Sequence, residues 1–336
     1  MHAIPRRRLL LSSLGLSAVS ALSLLACATR RPDLIVAGLF AGKIDDAGFM
    51  EAGYRGLTRA RDELGVTIHH IDGLPPQRER LQEALRELAR SGARLVVAHG
   101  GQNNEAARSV AAEFPATLFV VTQGNVGGAN LASYEVLQED SSWLAGAAAG
   151  LLTTTGVVGH MSGIRVVPGL KGRAAFADGL KTTNPQARLL TNFSGTQDDT
   201  MVAKRIALAM IDQRADILYT MLNAGRNGAI EACRERGAKQ IGNVRDWVAA
   251  MPDVFIGSAV ADSGMAFFNA VRDVADGSFK PGTVVRIGIA QPDAVRLTLG
   301  AAVPAAVRAR IDAYAADIAA GRIRIPESYG GPEFQA

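Results

Sequence analysis

Cysteine is almost missing from this sequence, which has only Cys27 and Cys233 among its 336 residues. Two cysteines exclude a disulfide-rich scaffold, and together with five histidines they form no cluster at the spacing of a zinc site. Cys233 lies in the predicted helix 228–237, where buried packing is commoner than a reactive thiol. We therefore expect no disulfide and no bound metal.

A surplus of one charge is also missing. The chain has 36 basic and 32 acidic residues, and Arg6, Arg7 and Arg8 supply most of the difference. Beyond these arginines, charges of both signs are mixed along the sequence, without the basic stripe that a nucleic-acid-binding domain shows. The composition predicts that nucleic acid is not a partner.

Motifs typical of enzymes are missing as well. The segment Gly159-His-Met-Ser162-Gly163 does not have the spacing of a Gly-x-Ser-x-Gly nucleophile elbow. The sequence has neither a Walker loop nor a Gly-x-Gly-x-x-Gly segment after a predicted strand. Helix capping explains the acidic pair Asp198-Asp199 better than catalysis does. We predict a protein that is not an enzyme and uses no cofactor.

The longest apolar stretch, 9–25, follows the three arginines and ends just before Ala26 and Cys27. A basic segment, an apolar segment and a small residue in this order predict a secretory signal peptide. The stretch is short for a bilayer span, which needs about 20 apolar residues. The segment Leu24-Leu25-Ala26-Cys27 resembles the lipobox of bacterial lipoproteins, which implies a signal peptide over 1–26, a lipidated Cys27 and a tether over 27–32. The alternative is an ordinary signal peptide with a chance cysteine.

Strand-like and helix-like segments alternate along the rest of the chain. Asp33–Phe40 is a nearly continuous apolar run, as expected of a parallel strand covered on both faces. Between 49 and 64, apolar residues recur at spacings of three and four, as on one face of a helix. Repeated strand–helix units joined by short loops predict an α/β protein with parallel sheets. The number of units favours two lobes over one.

A series of short motifs resembles the basic membrane protein (BMP) family along nearly the whole chain. The first, Gly42–Phe49 followed by Gly56, is similar to the family's DDxSFN…G signature. The other motifs are Ser142–Gly146, Phe176–Gly179 with Lys181 and Asn184-Pro185, Gly195–Asp199, Ala215–Ile217, Gly228–Ala232, Ile241–Asp246 and Ala320–Pro326. Their order and spacing, rather than any one of them, carry the resemblance.

The BMP family consists of lipid-anchored substrate-binding proteins of ABC transporters, several of which bind purine nucleosides. The resemblance implies a type I periplasmic binding protein fold, in which two Rossmann-like lobes enclose a small-molecule ligand. It also implies an ABC permease and ATPase as partners, and a position in the cell envelope, anchored to the membrane and facing the periplasm or exterior. We predict an N-terminal lobe over 33–138 plus 260–285, a C-terminal lobe over 139–259 plus 286–330, and hinges near 136–141, 258–262 and 282–290.

Ligands of open parallel sheets bind beyond the carboxyl ends of the strands, so the loops that follow the strands supply the candidate residues. These candidates are Asp46, Phe49, Gly100, Gln102, Gln123, Gln197, Asn223, Asp246 and Trp247. The family match implies that Asp46 accepts hydrogen bonds from a base, but a helix cap explains it equally well. Phe49 either stacks on a base, which contributes about 1–3 kcal/mol, or packs in the core.

The sequence departs from the family at several of these positions. Gln123 and Gln197 stand where the family has an aspartate and an aromatic residue, and Val244 and Ala261 replace an aspartate and a lysine. Because neutral amides both donate and accept hydrogen bonds, the changes predict a small neutral polar ligand, similar to a nucleoside or nucleobase. Trp247 either supplies a second stacking face or is a hinge or surface aromatic.

Two arginines and two histidines also lie in or next to the predicted cleft loops. Arg226 and Arg245 either meet an anionic group there or, more commonly, are solvated or bridge the lobes. His99 and His160 follow strands, where packing is a commoner role than ligand binding. The same fold also permits a function other than transport, namely an envelope sensor or accessory lipoprotein that signals ligand occupancy.

Overall fold

Two six-stranded sheets organise residues 34–46 and 48–336, the part of the chain that this computed structural model describes. The predicted signal peptide 1–26, Cys27 and the tether 27–32 lie outside the described residues. Within those ranges, no helix has the length and apolar character needed to cross a bilayer.

In chain order the elements are β1 (Ile35–Phe40), α1 (Phe49–Leu64), β2 (Thr67–Ile71), α2 (Arg78–Arg90), β3 (Leu95–His99), a 3-10 turn (Gly101–Asn103), α3 (Asn104–Glu113), β4 (Leu118–Thr122), β5 (Leu131–Val136), α4 (Gln138–Leu152), β6 (Val157–Ser162), α5 (Val167–Thr183), β7 (Arg188–Phe193), α6 (Thr200–Asp212), β8 (Ile217–Met221), α7 (Arg226–Arg236), β9 (Lys239–Val244), β10 (Phe255–Ala261), α8 (Ser263–Asp276), β11 (Val284–Ile287), β12 (Val295–Leu299) and α9 (Ala305–Ala319).

The first sheet has the strand order β11-β5-β4-β3-β1-β2, and all its strands pair in parallel. In β1, next to the edge strand β2, Val36 pairs with Ile68 on one side and with Leu95 on the other. The second sheet has the order β12-β10-β9-β8-β6-β7, and only β12 runs antiparallel to its neighbour. These two α/β sheets confirm the predicted fold class.

The sequence pattern does not predict strand β12. Its five residues are mostly half-buried rather than continuously apolar, and the strand returns antiparallel to β10 instead of following a helix. It therefore lacks the apolar run that marks a parallel strand covered on both faces. By contrast, helix α5 and strand β7 begin and end where the pattern predicts them.

The chain passes between the two sheets three times within the described residues. We call the first sheet with α1, α2, α3 and α8 the N-terminal lobe, and the second sheet with α4 to α7 and α9 the C-terminal lobe. The crossings lie between β5 and α4, between β10 and α8, and between β11 and β12. They lie at or near the segments predicted as hinges, while hinge motion and the lobe boundaries stay predictions.

Helix α8 belongs to the N-terminal lobe although it follows the C-terminal strands in sequence. Its Phe267 stacks on Phe40 at the end of β1, with ring centroids 5.9 Å apart and planes 11° apart. Both rings are completely buried in one hydrophobic cluster that also contains Trp143 of α4 and Ile311 of α9. The hydrophobic core is therefore continuous from the N-terminal lobe through the crossings into the C-terminal lobe.

Helices α4 and α5 cross with their backbones in contact. A Cβ atom on Gly179 would overlap the carbonyl oxygen of Trp143, and one on Gly146 would overlap the carbonyl oxygen of Phe176. Each glycine thus lies directly against the backbone of the other helix. Such a close crossing leaves no volume for even one added methyl group.

Candidate ligand-binding site

The two lobes meet where the loop after β1 faces the loop after β8. The side-chain Nδ2 of Asn223 donates a hydrogen bond of 3.2 Å to Oδ2 of Asp46. Both residues follow the carboxyl ends of parallel strands, where open α/β sheets bind their ligands. The structure thus brings two of the sequence-predicted residues together across the junction between the lobes.

Asp46 serves the start of helix α1 at the same time. Its carboxylate accepts hydrogen bonds from the backbone N–H groups of Gly48 (2.8 Å), Met50 (3.1 Å) and Glu51 (3.1 Å). Burial raises the pKa of this carboxyl group, and the three backbone hydrogen bonds oppose that rise. The geometry therefore accommodates both roles expected of Asp46, helix cap and hydrogen-bond acceptor for a ligand. One carboxylate has enough lone pairs to accept from the first N–H groups of a helix and from a partner in the other lobe.

Phe49, the first residue of α1, lies half-buried beside the same junction. One face of its ring stacks on His99, with centroids 4.2 Å apart. His99 is completely buried, and its ring nitrogens contact the backbone oxygen of Phe49 (2.9 Å) and Oγ1 of Thr122 (2.7 Å). Burial lowers the pKa of His99 to about 4, so this histidine is neutral at pH 7. Its ring packs against one face of Phe49 and leaves the other face for a ligand.

Gln123, one of the amides that indicated a neutral ligand, binds the protein itself, and so does Asn103 after β3. Gln123 donates from Nε2 to the backbone oxygen of Val136 (3.0 Å) and accepts from its N–H (2.5 Å). Asn103 donates to the backbone oxygens of His99 and Gly100, both at 3.0 Å. This differs from the expectation of a free amide lining. Since the side-chain amide of Gln123 is hydrogen-bonded to the backbone of Val136 at the first crossing, it is not available to a ligand in this arrangement.

The remaining predicted residues of the N-terminal lobe lie after β3. Gly100 has a φ of 105°, and its N–H donates to the backbone oxygen of Thr122 at 3.1 Å. Gln102 is exposed in the 3-10 turn and makes a long contact of 3.4 Å to the backbone oxygen of His99. The positive φ is the conformation that glycine adopts without strain. Gly100 therefore shapes this loop, and Gln102 keeps most of its hydrogen-bonding capacity.

Gln197 connects two loops of the C-terminal lobe. Its backbone oxygen accepts hydrogen bonds from the N–H groups of Asn223 and Gly225, both at 3.1 Å. Its half-buried side chain lies over Gly163, where a Cβ atom would overlap it. Gln197 thus fixes the position of the loop that carries Asn223.

Trp247 packs in the interior in this structure, whereas the sequence left open a stacking face and a hinge or surface aromatic. Its side chain is 5% exposed and stacks on Phe255 at 5.6 Å between centroids. The indole N–H donates to the backbone oxygen of Asn243 at 3.0 Å. The guanidinium groups of Arg226 and Arg245 lie 4.4 Å and 4.0 Å from the ring centroid. The ring is therefore covered by protein, so no ligand ring can stack on it here.

A cavity of about 150 Å³ lies between the lobes. Its wall includes the predicted Asp246, whose Oδ1 accepts a hydrogen bond from the N–H of Val248 at 2.9 Å. Sequence reasoning missed Glu51 and Arg55, which line the cavity from the first and second turns of α1. Their spacing of four residues, which puts them on one face of the helix, was the available signal. Val244, also in the wall, has a φ of 70°, a strained value for a β-branched residue and one that clusters at functional sites.

Two α/β lobes that meet at the carboxyl ends of their strands, around a polar cavity, define a two-lobed solute-binding protein. The family of ABC transporter substrate-binding proteins described as PnrA-like matches residues 34–328, and the chain belongs to this Bmp family. This confirms the resemblance inferred from the motifs. Members of the family are substrate-binding proteins rather than enzymes.

Individual relatives are distant. The chain is 24% identical over 208 residues to the transcriptional activator protein Med of Bacillus subtilis, covering 62% of this chain and 64% of that protein. It is 23% identical over 199 residues to a purine-binding protein of Brucella abortus, covering 59% and 56%. The chain thus spans less than two thirds of the length of these curated relatives.

The solved structure of a solute-binding protein of an ABC transporter system from Aeropyrum pernix K1 superposes with a TM-score of 0.76. The two chains are 21% identical, and the match covers 88% of this chain and 94% of the other. At that identity the likeness establishes the fold, which is the type I fold of periplasmic solute-binding proteins.

Proposed function

We propose that this protein is the lipid-anchored solute-binding subunit of an ABC importer in the cell envelope. It binds a small polar ligand of nucleoside or nucleobase type between its two lobes and delivers the ligand to an ABC permease and ATPase. The observation that carries the proposal is the hydrogen bond between Asp46 and Asn223, at the carboxyl ends of strands from both lobes. The lipobox-like segment that ends at Cys27 supports the anchor.

The chemistry of the junction suits a planar, nitrogen-rich ligand. The half-buried carboxylate of Asp46 accepts hydrogen bonds from ring N–H or amino groups, and the ring of Phe49 beside it is only partly covered. Closure of the lobes removes water from these groups and strengthens their few hydrogen bonds. The purine-binding relative from Brucella abortus supports a ligand of this class.

Thermal unfolding of the full chain in detergent, with purines, nucleosides and other polar metabolites, tests this function. A ligand at about 100 times its Kd should stabilise the folded protein by about 2.7 kcal/mol, because it binds the folded state only. Loss of uptake of the same compound in a strain that lacks the protein would connect binding with import. If no nucleobase or nucleoside raises the unfolding temperature, the proposed ligand class is wrong.

Replacing Asp46 with alanine should affect both stability and binding. Loss of the carboxylate at the start of α1 is expected to cost about 1 kcal/mol of unfolding free energy and to weaken the identified ligand about tenfold, as measured by calorimetric titration.

The matched control for Asp46→Ala is Asp199→Ala. Asp199 caps α6 through the N–H groups of Met201 and Val202 at 2.9 Å and 3.0 Å, and its side chain is exposed. This variant should lose similar stability but keep its affinity. Equal affinities in the two variants would show that Asp46 is a helix cap and nothing more.

A further inference from the structure

Arg226 is a buried cation close to the junction between the lobes. It is the first residue of α7, directly after the loop that carries Asn223, and only 1% of it is exposed. One of its terminal nitrogens donates to Oδ1 of Asn243, and its guanidinium lies over the ring of Trp247. Its Nε is buried without a hydrogen-bond partner among the described residues. Such an unused buried donor is rare in native structures and calls for an explanation.

Arg226 also lacks an acidic partner. Within residues 34–46 and 48–336, neither Arg226 nor Arg245 takes part in an ion pair. The comparison within the chain is Arg173, another buried arginine of the C-terminal lobe, which pairs with Glu333 at 2.6 Å. Burial of an unpaired charge is costly. The indole of Trp247 offsets part of that cost for Arg226.

The two unpaired arginines lie together. Both guanidiniums contact the same indole, and Arg245 lines the cavity between the lobes. Burial, together with the positive charge of Arg245, lowers the pKa of Arg226 to about 9, which still leaves it charged at pH 7. The two guanidinium groups therefore lie side by side on the C-terminal side of the junction, and no carboxylate of the described chain forms an ion pair with either of them.

Four acidic residues also line the cavity, namely Glu51, Asp246, Asp262 and Asp293, and Glu51 pairs with Arg55. Asp246 turns one oxygen towards the N–H of Val248 in its own loop. Asp262 accepts a hydrogen bond from the N–H of Gly264. Burial raises the pKa of its carboxyl group, and that hydrogen bond together with the charges of Arg59, Arg296 and Arg55 opposes the rise. The opposite wall carries Asp46, which accepts from N–H groups only and likewise has no cationic partner among the described residues. The junction thus offers an acceptor on one side and two cations on the other.

We propose that Arg245, with the buried Arg226 beside it, binds an anionic group of the ligand, a carboxylate or a phosphate, while the N–H-bearing part of the ligand faces Asp46. The planar guanidinium fork matches the oxygens of either group. The inference rests on the proposed function and specifies its ligand class: a small polar molecule with a nitrogenous part and an acidic part. It replaces the neutral ligand that the amides predicted.

The test uses inorganic phosphate and acetate as probes of the anionic subsite. Thermal unfolding of the full chain is followed while either anion replaces sodium chloride at constant ionic strength. We expect a saturable rise in unfolding temperature, with the more effective anion identifying a phosphate or a carboxylate. Arg226→Gln should weaken the effect at least about tenfold. Arg188→Gln is the matched control, because Arg188 is exposed at the start of β7 and bonds only the backbone oxygen of Gln213.

Arg245→Gln is the second variant, in case the buried Arg226 is needed for folding. Arg245 is half-exposed, so its replacement leaves the core intact, and it should weaken anion binding about tenfold as well. The inference is overturned if Arg245→Gln, and Arg226→Gln where it folds, leave the affinity for the anions unchanged. It is also overturned if neither anion gives a saturable rise in unfolding temperature. If nucleosides still stabilise the protein in that case, the proposed function stands without the anionic subsite.

Discussion

Replacing Gly179 with alanine is expected to lower the free energy of unfolding by about 3 kcal/mol, the upper end of what overpacking of a core costs. The added methyl group would overlap the carbonyl oxygen of Trp143 in the facing helix. Backbone cannot rotate away as a side chain can, so α4 and α5 would have to move apart. Since this helix pair lies against the second sheet, the strain spreads into the core of the C-terminal lobe. Denaturant unfolding, monitored by circular dichroism, measures the loss.

Gly169→Ala is the matched control in the same helix. A Cβ atom there would lie 3.6 Å from the carbonyl oxygen of Ile164, an ordinary van der Waals distance. Because alanine favours a helix over glycine by about 1 kcal/mol, this variant should be as stable as the unmodified protein or slightly more stable. Similar losses in both variants would show that the close crossing of α4 and α5 is not what limits residue size at Gly179.

Replacing Gly48 with alanine is expected to weaken ligand binding about tenfold, which corresponds to about 1.4 kcal/mol, because the Asn223 side chain must rotate away from Asp46. Gly48 is buried against the other lobe, and an added Cβ atom would overlap Oδ1 of Asn223 and lie 2.7 Å from its Cγ. The clash arises only where the lobes meet. The unfolding temperature without ligand should therefore change little, while calorimetric titration records the loss of affinity.

Removal of the Asn223 side chain provides the control for this prediction. Asn223→Ala loses the hydrogen bond to Asp46, and in the double variant it also removes the side-chain oxygen and Cγ that the methyl group at position 48 would overlap. The double variant should therefore bind no more weakly than Asn223→Ala alone, a strong departure from additivity. Additive losses would mean that Gly48→Ala acts within its own loop and not on the approach of the lobes.

The parallel strands were predictable because their own residues show a local pattern of apolar and polar positions. Strand β1 is an apolar run, and β7 and α5 show the periodicity of their conformations over their full lengths. Strand β12 was missed because its residues are only half-buried and its antiparallel partner β10 lies more than thirty residues away along the chain. Nothing local marks such a strand.

The residues of the candidate site likewise include some whose position the sequence predicts and some whose contacts it does not. The positions of Asp46 and Asn223 follow from topology, because the carboxyl ends of parallel strands share one edge of each sheet. The partners of Gln123 and Trp247 do not follow, since each depends on a residue brought near by the tertiary fold: Val136 for the amide and Phe255 for the indole. The complete burial of Arg226 without an acidic partner could not be predicted either, because it requires the packing of α7, β9 and β10 together.

The three chain crossings also determine the order in which the molecule can assemble. The N-terminal lobe obtains its edge strand β11, and the Phe267 partner of Phe40, only after strands β6 to β10 have been synthesised. A nascent chain therefore carries an unfinished first sheet with the edge of β5 unpaired for most of its synthesis. Pairing over such long sequence separations is slow. The first sheet is thus expected to reach its final form only when synthesis of the chain is nearly complete.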